Sequence, residues 1–156
     1  MTIISFYHLS RSPLGKVLPI LLKKTLSSGE RAVVIAGTNE RVESLNSLLW
    51  TDEPNEWIPH GAETDGLAEQ QPIWLTTVLE NPNAAKFLFL IDDVSADSFD
   101  GFTRCFDLFD GRKDQSVEAA KKRWKIYSER GHECHYHQQS EDGGWEEKIP
   151  ANSPVD

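Results

Sequence analysis

The sequence predicts an α/β fold: one domain built on a single, mostly parallel or mixed sheet with helices on both faces. Two observations carry this expectation. Short β-branched and apolar runs alternate with segments whose apolar residues recur every three or four positions. A chain of 156 residues with 38% hydrophobic content, seven Phe and five Trp is also large and apolar enough to pack one interior. No internal repeat or composition shift marks a second domain, so residues 1–149 are read as the domain and 150–156 as a flexible tail.

The elements follow in chain order. The run IISFYH (3–8) predicts a first strand. After it, Leu14, Val17, Leu18, Leu21, Leu22 and Leu26 recur at helical spacing with Lys16, Lys23 and Lys24 on the other side. Pro19 is expected to shift that helix's start or kink its axis. RAVVIAG (31–37) is a buried-strand run ending in glycine. Thr38 or Asn39 then offers an N-cap to a helix whose stripe is Val42, Leu45, Leu48 and Leu49. Residues 51–71 are rich in Pro, Gly, Asp and Glu and read as a long loop. PIWLTT (72–77) and FLFLID (87–92) follow as strands. Phe99, Phe102, Cys105, Phe106 and Phe109 then recur at helical spacing, which predicts a helix over 98–109. A further helix is expected over 116–130, closed by Gly131. HECHYHQ alternates like a strand, and the Gly-Gly pair of EDGGWEEK suits a hairpin turn.

Formal net charge is -9, which argues against a surface designed throughout to hold polyanions. The cations are nonetheless clustered. Residues 1–25 carry Arg11, Lys16, Lys23 and Lys24 with no acid, and residues 121–130 carry five cations against Glu129 alone. Two cysteines, Cys105 and Cys134, are too few for a secreted disulfide framework. With no signal-peptide pattern and no apolar run of membrane-spanning length, a cytoplasmic chain that does not contact a membrane is expected.

Several chemistries can be weighed on these residues. Nucleotide binding at VVIAGTNERV lacks the required loop: Gly37 stands alone, where G-x-x-x-x-G-K-[ST] or G-x-G-x-x-G would let backbone N–H groups approach phosphates. The expected fold is therefore Rossmann-like without a phosphate-binding loop. Without that loop, Asp92 and Asp93 after FLFLI are read as capping the strand end or facing solvent. His132, Cys134, His135 and His137 suggest zinc by residue type, but a strand sends His132 and Cys134 to one face and His135 and His137 to the other. No metal or other cofactor is expected. No G-x-S-x-G elbow marks a nucleophile, so no catalytic residue is assigned.

The basic helix is the strongest local feature. At about 100° per residue, Val117, Lys121, Trp124 and Ser128 fall on neighbouring positions, which places a cation beside an indole. Two readings stand open. The pair forms a pocket for a peptide offering an apolar side chain and a carboxylate, or Trp124 is core and the lysines are a solvated face. Trp50 and Trp57 likewise read either as anchors of a protein interface or as lids over the core.

Taken in order and spacing, SFYHL, RAVVIAGTNERVESLNSLLW, WIPHG before PIWL, FLFLIDD and KKRWKIYSERGHE resemble the chi subunit of the bacterial DNA polymerase III holoenzyme. The resemblance runs from about Ile4 to Tyr136. It implies a non-catalytic accessory subunit in DNA replication. Such a subunit joins the clamp-loader side through psi and binds the acidic C-terminal tail of single-stranded-DNA-binding protein. By position it implies tail-binding residues Lys121, Arg123, Trp124 and Lys125, and a surface for psi, or for an equivalent replisome or helicase partner, at Trp50 and Trp57. Lys121 stands where the family carries a tail-binding arginine, which removes a bidentate fork. The segment YHQQSEDGGWEEK goes past the familiar members. The alternative is a direct nucleic-acid binder or an α/β enzyme using the basic helix, although tight binding of nucleic acid by the chain itself is not expected at this net charge.

Overall fold

The computed structural model describes residues 1–10, 12–51, 59–139 and 145–148, the side chains of 50, 51, 64 and 146–148 excepted. The chain runs β1 (Ile3–Leu9), α1 (Leu14–Ser27), β2 (Ala32–Ile35), α2 (Asn39–Thr51), β3 (Gly61–Ala62), β4 (Ile73–Thr76) and β5 (Phe87–Leu90). It continues with β6 (Arg104–Asp110), α3 (Asp114–Glu129), β7 (Glu133–Gln139) and β8 (Trp145–Lys148). All eight strands form one sheet in the order β3-β4-β2-β5-β6-β1-β7-β8. Every described pairing is parallel except that of β7 with β8.

Covering helices explain why the central strands read as unbroken apolar runs. Val17, Leu18 and Leu22 of α1, with Val42, Leu45 and Leu49 of α2, pack on one face against Val34, Phe89, Phe106 and Leu108. On the other face, Ala120, Trp124 and Tyr127 of α3 pack against Phe6, Leu88, Cys105 and Tyr136. Alternation along β1 serves both layers, with Ile4 and Phe6 facing α3 and Leu9 facing α1.

Pro19 is buried inside α1 without ending it. Thr38 caps α2, its Oγ1 accepting from the Arg41 amide at 3.1 Å. After α3, Gly131 takes φ of 90°, the left-handed turn expected of it.

Two expectations are corrected. The helix read over 98–109 does not form: Arg104–Asp110 is β6, a strand flanked by β5 and β1. Its Cys105 and Phe109 face α3 while Phe106 and Leu108 face the other layer. A strand buried on both faces shows no alternation in polarity, and its phenylalanines matched helical spacing by coincidence with Phe99 and Phe102 of the preceding connection. The stretch 51–71 is also not loop throughout, since it contains β3 and two short 3₁₀ turns, Glu63–Asp65 and Ala68–Gln70. The Gly143–Gly144 pair and the tail at 150–156 lie outside the described residues.

Candidate peptide-binding face of helix α3

Helix α3 buries Ser116, Ala120, Arg123, Trp124 and Tyr127, one stripe that points at the sheet. That stripe decides where the expected site residues go. The Trp124 indole lies 5.3 Å from the Phe6 ring and 6.5 Å from that of Tyr136, and only 8% of the residue is exposed. Arg123 is turned inward. Its Nε donates to Asp107 Oδ2 at 2.7 Å and its Nη2 to Asp107 Oδ1 at 3.0 Å, with Asp93 Oδ1 a further 3.5 Å from Nη2. The bidentate fork is thus used within the fold.

Lys121 and Lys125 remain outside. Lys125 is exposed, as is Lys122. Lys121 lies on the shoulder of the helix, half-buried beside Val117, its Nζ 3.4 Å from Glu118. The structure therefore separates the four residues: two cations on the surface, and Arg123 with Trp124 as the layer that holds the helix in place. Of the two readings left open for this helix, the core position of the indole is the one observed. Trp50 falls in the last turn of α2, with its side chain outside the described set, and Trp57 lies outside the described residues.

The sheet brings together His8 of β1, Phe109 of β6 and Tyr136 of β7, a cluster that was not singled out from the sequence. His8 Nδ1 is hydrogen-bonded to the Tyr136 hydroxyl, and the His8 ring packs 5.2 Å from that of Phe109. Burial lowers the imidazole pKa, opposed by the Gly111 backbone and Asp110, while burial pushes the Tyr136 phenol up to about 12. Gly111 leaves the space that His8 occupies, since a Cβ there would overlap the imidazole. The parallel pairing of β1 with both β6 and β7 creates this cluster, and no local spacing announces it.

A crevice of about 400 Å³ lies at the carboxyl ends of the strands, where α/β sheets commonly bind ligands. Its charged groups are largely paired with each other, Arg41 with Asp92 at 3.2 Å and Arg112 with Asp110 at 3.2 Å. Asp92 Oδ2 also accepts from the Gly37 amide at 3.1 Å, so the turn that a phosphate would occupy in a nucleotide-binding relative holds a carboxylate of the protein itself. Asp93 accepts from the Ser116 hydroxyl at 2.9 Å and ties β5 to α3. In β7, Cys134 packs with the α3 layer, while His137 stacks at 4.8 Å on Tyr7, whose ring packs with the opposite layer.

Comparison with known proteins bears on this arrangement. The family model described as DNA polymerase III chi subunit, HolC, matches residues 1–135. A protein of Rickettsia prowazekii (strain Madrid E), described as a probable DNA polymerase III subunit chi, is 36% identical over 87 residues, covering 56% of this chain and 53% of the relative. The chain thus matches about half the length of that relative. The family match takes in all three helices and seven of the eight strands, the last only in part, and stops before β8. The chain belongs to the DNA polymerase III chi subunit family.

Proposed function

We propose that this chain is a non-catalytic accessory subunit of the replicative polymerase, linking its clamp-loader side to single-stranded-DNA-binding protein by holding that protein's acidic C-terminal tail. The observation that carries the reading is the accessible cationic side of α3, with Lys121, Lys122 and Lys125, on a chain of formal net charge -9. Local positive charge of this kind attracts an acidic peptide over about 10 Å at 0.1 M salt. Lys121 exchanges its i,i+3 contact with Glu118 for a carboxylate of the tail. Val117, half-buried on the same shoulder, meets the apolar end of the peptide. Arg123 and Trp124 contribute from below by fixing the helix on the sheet. By family resemblance, Trp50 and Trp57 are assigned to contact with psi or an equivalent partner.

The test is fluorescence anisotropy with a labelled peptide of the acidic tail. Lys121→Glu combined with Lys125→Glu is expected to weaken binding at least about tenfold, or about 1.4 kcal/mol. Unchanged affinity overturns the assignment. Trp124→Ala is the wrong variant for this purpose, because removing a core indole costs about 3–5 kcal/mol of stability and confounds the readout.

A further inference from the structure

On the opposite face of the sheet from α3, helix α1 and the strands β1, β7 and β8 enclose a groove of about 260 Å³. Lys16, Ile20 and Lys24 form one stripe of α1 along it, four residues apart. Both lysines are exposed, neither takes part in an ion pair among the described residues, and α1 contains no acid. Ile20 between them is 52% exposed. The facing wall is aromatic: Trp145, 37% exposed, meets the edge of Tyr7 at 5.0 Å, and Tyr7 stacks on His137 at 4.8 Å. An exposed isoleucine and an exposed tryptophan across a groove rimmed by two cations form a patch that solvent does not favour.

We infer that this groove binds an extended acidic peptide carrying an apolar side chain midway between two carboxylates. The spacing argues for it. Eight residues of helix set Lys16 and Lys24 about 12 Å apart. In an extended chain, residues four apart are separated by about 13 Å and lie on the same face as the residue between them. An acid-x-apolar-x-acid segment therefore places a carboxylate at each lysine and its central side chain against Ile20 and Trp145. A single-stranded nucleic acid fits less well. The site between the cations is aliphatic, and one face of Tyr7 is already covered by His137. The groove is also particular to this chain's C-terminal part, since His137 and Trp145 lie past residue 135, where the family match stops.

The experiment titrates the full ¹⁵N-labelled chain with acetyl-Asp-Ser-Leu-Ser-Asp-amide and follows amide and indole resonances. Saturable shifts at Ile20, Lys24 and the Trp145 indole N–H are expected. They should weaken at least about tenfold in Lys16→Glu with Lys24→Glu, and with a peptide carrying Asn for Asp. The same shifts should persist in Lys121→Glu with Lys125→Glu, which separates this groove from the α3 face. The proposal is overturned by shifts elsewhere only, by binding that survives reversal of Lys16 and Lys24, or by oligothymidine binding there more tightly than the peptide. Shifts that follow protein concentration without peptide also overturn it, since the occupant is then a second copy of the chain. Because both lysines are exposed, the variants keep the core intact, and an unchanged spectrum outside the groove confirms it.

Discussion

Asp107 lies on β6 between Phe106 and Leu108 at 1% exposure, and the Arg123 guanidinium on α3 meets it with two hydrogen bonds. Burial pushes the Asp107 carboxyl up, against the pull of Arg123. Arg123 also loses hydration, yet Asp107 and Asp93 beside it hold it protonated. Removing one partner of such a pair strands a buried charge. Asp107→Asn and Arg123→Met are each expected to destabilise the protein by about 3–5 kcal/mol, and both together by clearly less than the sum. Urea unfolding of the three variants checks this, and additive losses would contradict the coupling. Asp107, set between Phe106 and Leu108 inside the apolar run of RCFDLFD, was the available sign in the sequence that a cation must come to it, but only the sheet shows which one. For the same reason the helical pattern left Trp124 open between core and pocket and gave no sign that Arg123 turns inward, while Lys125 stays exposed and Lys121 half-buried. Spacing tells which residues share a helix face; the sheet decides which face is hidden.

At the scale of elements, β1, β2, β4, β5, β7 and the three helices were legible, the strands as short apolar or alternating runs and the helices from their three- and four-residue spacing with stops such as Thr38 before α2 and Gly131 after α3. Strand β6 was not, because its Cys105, Phe106 and Phe109 continue the three- and four-residue spacing of Phe99 and Phe102, and burial on both faces leaves no polar alternation to correct that reading. The connection from β5 to β6 has no helix, and its buried Phe99 and Phe102 join the α3-side core instead. The edge strand β3 was hard to see for the opposite reason, since it has two residues. This order predicts a gradient in native-state hydrogen exchange. Amides of β6 and β1 should exchange slowest, and those of β3 and β8 fastest. A β6 that exchanges as fast as the edges, measured by mass spectrometry or NMR, would contradict the central position assigned to it.

At the scale of the molecule, the sheet separates two cationic surfaces on an otherwise acidic chain. Lys16 and Lys24 lie on the α1 side, and Lys121, Lys122 and Lys125 on the α3 side. Net charge argues against a general polyanion binder, and the missing glycine loop argues against phosphate capture at the first turn of α2, where Asp92 accepts from the Gly37 amide. Such local cationic surfaces suit the adaptor role proposed for the chain. The most direct measurement is a titration of the chain with single-stranded-DNA-binding protein, intact and lacking its acidic C-terminal tail, at low and high salt. The account predicts binding to the intact protein that weakens as salt rises and is lost without the tail. Equal binding to the intact and tailless proteins would contradict it.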